Sequence, residues 1–101
     1  MRDYKDYLTE SLKDPEEAQA YLNASLEAYA EDNNIQALML ALDHLARAKY
    51  SISEFSQKSD VKSRHLYKIF DNESIPGFNV IFSIINSLGF TVEVKLKSKT
   101  A

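Results

Sequence analysis

Apolar residues recur at intervals of three and four along most of the chain, the spacing that gathers them on one face of a helix. Tyr4, Tyr7, Leu8 and Leu12 begin the series. Asp14-Pro15-Glu16-Glu17 reads as a helix start. Asp14 can accept orphan backbone N–H groups, Pro15 suits the first helical position, and Glu17 stands where a capping-box acid belongs. The helix that follows sets Ala18, Tyr21, Leu22, Ser25, Leu26 and Tyr29 on one side, until Asn33-Asn34 breaks the pattern. A third helix carries Ile35, Leu38, Met39, Leu42, Leu45 and Ala46. Ser51-Ile52-Ser53-Glu54 is a second capping box, opening a short helix through Ser59. After a break at 60–62, Ser63 can cap another short helix over 64–70.

A polar loop, 71–76, leads to a last helix over 77–88 that Gly89 closes. In this helix Phe78, Ile81, Phe82, Ile85 and Leu88 make one stripe, while Val80 and Ile84 lie on another side. A helix apolar nearly all round is buried on more than one side, which points to a central helix or a dimer interface. Residues 90–96 then alternate apolar and polar with period two, the pattern of a β-strand with one buried face. No other segment reads as a strand, so this one lacks a partner in its own chain. The expected fold is therefore all-α: five to six short helices and one C-terminal strand that pairs across a dimer. Val80, Ile84, Phe90, Val92 and Val94 would form the interface of that homodimer. The end, 97–101, is expected to fray.

Composition narrows the function. Only two Gly and two Pro occur, few for the many tight turns of an all-β fold. The 45% hydrophobic content is enough for a core. The absence of Cys removes disulfides and thiolate chemistry and fits a reducing cytoplasm. No apolar run approaches the ~18 residues of a membrane span. The opening Met1-Arg2-Asp3-Tyr4-Lys5-Asp6 is too charged for a signal peptide, so a soluble, cytoplasmic protein away from membranes is expected. There is no Gly-rich phosphate loop and no nucleophile with a base beside it, and His44 and His65 stand 21 positions apart without acids at metal-ligand spacing. No enzyme activity, cofactor, metal or small-molecule substrate is expected.

The net charge of −3 averages two unlike regions. Residues 1–34 hold nine acidic and three basic residues, net −6, whereas 47–68 hold six basic and two acidic, net +4. A local basic patch is what attracts phosphate, whatever the total. It coincides with a pair of short helices that meets the demands of a DNA-reading helix-turn-helix over 52–70. Ser56 supplies the small residue where the helices cross, and Phe55, Val61, Leu66 and Ile69 supply the apolar contacts. Lys62, Ser63, Arg64, His65, Tyr67 and Lys68 remain outward, with Ser53 at the start of the first helix, to reach base edges and phosphates of double-stranded DNA. Two positions depart from the usual pattern. Asp60 stands where the turn usually has Gly, and Ser59 where an apolar residue is common. A structural corner that never touches DNA is the alternative.

The blocks Asp6-Tyr7-Leu8, Leu12-Lys13-Asp14-Pro15-Glu16-Glu17-Ala18 and Ala20-Tyr21-Leu22-Asn23-Ala24-Ser25-Leu26-Glu27 resemble the addiction-module antidote proteins, the HigA-type antitoxins of bacterial toxin–antitoxin pairs. The resemblance continues through Ala41-Leu42-Asp43-His44-Leu45-Ala46-Arg47-Ala48. It extends into Ser63-Arg64-His65-Leu66-Tyr67-Lys68, similar to the family's recognition helix, and covers about residues 6–95. It departs at Asp71-Asn72-Glu73-Ser74-Ile75-Pro76-Gly77, where the family often has a Ser/Gly-rich turn with an Asn-Pro pair. The resemblance implies a cognate toxin of the RelE/ParE-like ribonuclease fold, bound and silenced by this chain. It also implies repression of the chain's own operon by a dimer on promoter DNA. The acidic segment 1–34 would suit a basic toxin. The expected single domain then divides into N-terminal helices that bind toxin (1–48), a DNA-binding core (49–89) and the strand (90–96). A stand-alone phage-type repressor and a non-DNA-binding interaction module are the rival readings.

Overall fold

The computed structural model describes residues 4–97, and six helices account for most of them. They are α1 (Tyr4–Ser11), α2 (Pro15–Asp32), α3 (Ile35–Lys49), α4 (Ile52–Ser59), α5 (Ser63–Phe70) and α6 (Phe78–Ser87). The expectation of a frayed end falls largely on 98–101, outside the described residues.

Short breaks between the helices have local causes. Asp14 caps α2 by accepting the Glu16 N–H, with Pro15 at the first position. The capping box expected of Glu17 is not made, because the Asp14 N–H that it would accept is already donated to the Ser11 carbonyl at 3.2 Å. Asn33 ends α2 in the left-handed region (φ 55°), and Asn34 caps α3 by accepting the Ala37 N–H. Asn tolerates that conformation better than most residues, which is why the Asn pair separates two helices so tightly.

The core is organised around α3. Leu38, Met39, Ala41, Leu42, Leu45, Ala46 and Ala48 are all buried, and α3 packs against α1, α2, α4 and α5. Leu12 below α1, Ala18 and Leu22 of α2, Phe55 of α4, and Leu66, Ile69 and Phe70 of α5 complete one continuous cluster. A polar contact ties α2 to α3, where the Tyr21 hydroxyl and His44 Nδ1 share a hydrogen bond of 3.0 Å. His44, which has no acids at metal-ligand spacing in the sequence, thus takes part in helix docking.

The last helix corrects the sequence reading. Ile84 is 0% exposed and packs into the chain's own core beside Ile85 and Leu88, as α6 docks on α4. Val80 is half-buried. The solvent-facing apolar side chains are instead Phe78 (77% exposed) and Phe82. The buried side of α6 thus cuts across the two stripes, taking Ile84 from one and Ile85 and Leu88 from the other.

Gly89 (φ 98°) closes α6 in a Schellman arrangement, the Phe90 N–H reaching the Ile85 carbonyl and the Gly89 N–H the Asn86 carbonyl. Beyond it the expected strand does not form. Among the described residues there is no β-strand, and 91–97 are exposed and make no backbone hydrogen bond. A strand exists only as part of a ladder, and one chain offers this segment no second strand.

Adjacent positions on α3 give a direct test of this core. Leu42→Ala should cost about 2–5 kcal/mol in urea unfolding, because Leu42 is completely buried. Leu40→Ala, at a half-exposed position, should cost under about 0.5 kcal/mol.

Candidate nucleic-acid interface

The two helices α4 and α5 are joined by Asp60, Val61 and Lys62 alone. Such a tight joint needs one residue in the left-handed region, and Asp60 takes it (φ 60°). The turn is then held from α4 by two serines. Ser56 Oγ donates to the Val61 carbonyl at 2.6 Å, and Ser59 Oγ accepts the Val61 N–H at 3.3 Å. Ser59 is buried and satisfied, so the position where an apolar residue is common serves here as a polar clasp on the turn. The tendency of Ser to bond backbone two residues on was the available signal for it. Val61 itself is buried, together with Phe55, Leu66 and Ile69, so the four apolar contacts expected between the helices lie in the core.

The beginning of α4 is fixed by the capping box expected from the sequence. Ser51 Oγ accepts the Glu54 N–H at 3.1 Å, and Glu54 accepts the Ser51 N–H at 3.0 Å. The end of α5 is a second Schellman arrangement, with Asn72 at φ 62°, the Glu73 N–H on the Lys68 carbonyl and the Asn72 N–H on the Ile69 carbonyl. The start of α5 differs from expectation. Lys62 occupies the cap position without a side-chain hydrogen bond, and Ser63 is already the first helical residue. The reason is that the clasped turn sets the chain direction one residue earlier than a Ser63 cap would.

With Leu66, Ile69 and Phe70 facing inward, α5 leaves Lys62, Arg64, Tyr67 and Lys68 exposed and Ser63 and His65 half-buried. Ser53 is exposed in the first turn of α4, on the neighbouring helix. Among the described residues none of Lys62, Arg64 and Lys68 is in an ion pair, and no acidic side chain stands on α5. The other basic residues of the region are partly engaged. Arg47 pairs with Asp43 on α3, and the Lys58 ammonium lies 5.8 Å from the centre of the Tyr50 ring. Lys58 also gives its carbonyl to the Ser87 hydroxyl at 3.5 Å, a tie between α4 and α6 that periodicity could not reveal. Of the dimer residues expected from the sequence, Ile84 is interior, Val80 and Phe90 are half-buried, and Val92 and Val94 are exposed.

Acids gather elsewhere. Glu16, Glu17, Glu27, Glu31 and Asp32 are exposed on α2, and none is in an ion pair among the described residues.

The capping box carries a pH dependence. The Ser51 backbone N–H, and after it the Ser51 side chain, holds the Glu54 carboxyl below its usual value. A depressed acid stabilises the fold fully above the unfolded value of about 4.3 and loses that contribution as pH falls through the lower folded value. Glu54→Gln keeps a side chain that can accept the Ser51 N–H but does not titrate. The melting temperature of wild type should therefore fall further than that of Glu54→Gln between pH 7 and pH 3, and equal falls would rule out the coupling.

No helix among the described residues is long and apolar enough to cross a membrane. Comparison with curated proteins and with solved structures returned no match. Comparison with family models returned one described as "Probable addiction module antidote protein", matched over residues 3–96. That span takes in all six helices and the segment after them, and the chain belongs to this family of addiction-module antidote proteins.

Proposed function

We propose that this chain is an antitoxin that silences a RelE/ParE-like ribonuclease toxin and represses its own operon by binding promoter DNA as a dimer through α4 and α5. The observation that carries the DNA half is the uncommitted cationic face of α5. Lys62, Arg64 and Lys68 stand outward on a helix whose other side is locked into the core. In this reading α5 enters the major groove, Arg64 and His65 reach base edges, and Lys62, Ser63, Lys68 and Ser53 hold phosphates, with Tyr67 against the groove wall. The placement of Lys62 and Arg64 supports it. Cations at a helix N-terminus oppose the helix dipole and cost stability, and a bound phosphate reverses that sign.

The toxin half rests on family membership and on α2. Glu31 and Asp32 sit at the C-terminal end of α2, where the dipole disfavours acids, and no basic residue occupies that turn. A basic partner surface would relieve this repulsion.

Two measurements test the reading. At one fixed salt concentration, Arg64→Ala should lose about 1–3 kcal/mol on the operator and relax its sequence preference, while Lys68→Ala should weaken all DNA evenly and reduce the salt slope by about 1. Unchanged binding in both variants overturns the DNA assignment. In the full-length chain, replacing Glu16, Glu17, Glu27 and Glu31 together by Gln should weaken titrated binding of the operon's toxin by about tenfold, more at low salt than at high. Undiminished affinity removes α2 from the toxin contact.

A further inference from the structure

The segment after α6 is short of partners in a specific way. Among the described residues, 91–97 make no backbone hydrogen bond, and Val94 and Leu96 are 94% and 84% exposed. Thr91, Glu93, Lys95 and Lys97 line a shallow cleft against Asn23 and Glu27 of α2. The apolar members of the alternation are thus presented outward. Val92 differs from them, because it also lines an apolar cleft of about 530 Å³ between α2, α3 and α6, whose walls include Leu26, Leu38 and Ile85 and whose rim carries the exposed Ile75, Phe78 and Phe82.

We propose that residues 91–97 pair antiparallel with the same segment of a second copy, in one register centred on Val94, and that this ribbon closes the apolar cleft. The proposal rests on the dimer of the preceding section and gives it a contact. Charge selects the register. In an antiparallel pair, residues directly opposite point to the same face, so an apolar residue meets an apolar one only when the centre falls on a residue. A centre on Glu93 or on Lys95 sets that charge against its own copy, which is destabilising. A centre on Val92 would bring Leu96 opposite Leu88, which is buried at the end of α6 and cannot join a ladder. A centre on Val94 sets Glu93 against Lys95 twice, Val92 against Leu96 twice, and Val94 against Val94. Every charged residue at the core of the ribbon then faces its opposite, and 91–97 are all free to pair.

The same register accounts for the cleft. Val92 stands at its wall, so the Leu96 of the second copy that faces Val92 arrives at the cleft. Ile75, Phe78, Phe82 and Val92 leave apolar surface exposed around the cleft, and Val94 and Leu96 add more from the segment itself. No acid lines the apolar cleft, so a basic partner finds no charge complement there. A second copy supplies apolar side chains and an unpaired backbone edge together.

The natural chain has no Cys, so single cysteines at positions 92, 93, 94 and 95 report on the register directly. Opposite Cα atoms lie about 4.5–5.5 Å apart, within disulfide range, whereas residues one diagonal away lie roughly 7–8 Å apart or more. Val94→Cys should oxidise to a covalent dimer at least about tenfold faster than the other three alone. Glu93→Cys and Lys95→Cys should cross-link efficiently only when mixed. Lys95→Glu should raise the dimer dissociation constant at least about fivefold, and adding Glu93→Lys should restore it. Wild type should sediment at twice its 11.5 kDa. A monomer overturns the dimer and the register together. A dimer whose cross-linking peaks away from Val94, or in which charge exchange restores nothing, overturns the register and leaves the dimer. Loss of operator binding by a chain that still cross-links at Val94 counts against the DNA assignment only.

Discussion

Every other helix but α6 rests directly on α3, and this single 15-residue helix supplies seven of the nineteen buried apolar residues among the described ones. Five of the six helices among the described residues are joined by connections of only a few residues, so each must find apolar cover close at hand. Three alanines among the seven buried positions of α3, Ala41, Ala46 and Ala48, let neighbours approach the backbone closely, while Leu38, Met39, Leu42 and Leu45 fill the space between them. Helices α1, α4 and α5 are eight residues long, below the length at which a helix is stable alone in water, so their helical state depends on burial against α3 and on their caps. The cationic face of α5 and the acidic face of α2 therefore share one support.

That dependence makes the turn between α4 and α5 a matter of precision more than of stability. Ser56 and Ser59 hold Val61 by its carbonyl and its N–H, and Asp60 supplies the left-handed step. The turn is thereby determined by side chains of α4, itself capped at Ser51. Buried polar bonds of this kind cost the fold if left unmade, and both are made. The result is that the direction of α5 follows from α4, and α4 from its packing of Ile52 and Phe55 on α3.

Most of this organisation could be read from the residues, because its signals are local. The Asp14 cap, the Asn33-Asn34 break, the Ser51–Glu54 box, the buried set Phe55, Val61, Leu66 and Ile69, and Gly89 each declare themselves within a turn of chain. What could not be read depends on contacts made elsewhere. Glu17 lost its capping role to the Ser11 carbonyl, and the Lys62 cap position follows from a clasp that needed Ser59 to be recognised as polar and buried. The buried side of α6 was decided by tertiary docking, which buried Ile84 with Ile85 and Leu88 and left Phe78 and Phe82 outside. Alternation over 90–96 does not become a strand with a buried face, since 91–97 are all exposed: period two describes side chains and a strand is defined by its ladder. The family resemblance reached from about residue 6 to 95, and the matching family model spans 3–96.

The charges that stabilise least are the ones most informative about function. Five helix ends follow the dipole rule: Glu16 and Glu17 open α2, Glu54 opens α4, Arg47 and Lys49 close α3, Lys58 closes α4 and Lys68 closes α5. Glu10 in the last turn of α1 breaks it but is paired with Lys13, and two further places break it, Glu31 and Asp32 at the end of α2 and Lys62 and Arg64 at the start of α5. Neither exception is compensated by an ion pair among the described residues. A chain that obeys a local rule at five helix ends and leaves two violations without an ion pair among the described residues, each within a segment of matching net charge, is carrying a cost that folding does not require. The signs are opposite, so the two faces present different chemistries and share no side chain. Both helices pack on α3, so the acidic face of α2 and the cationic face of α5 are positioned by one helix.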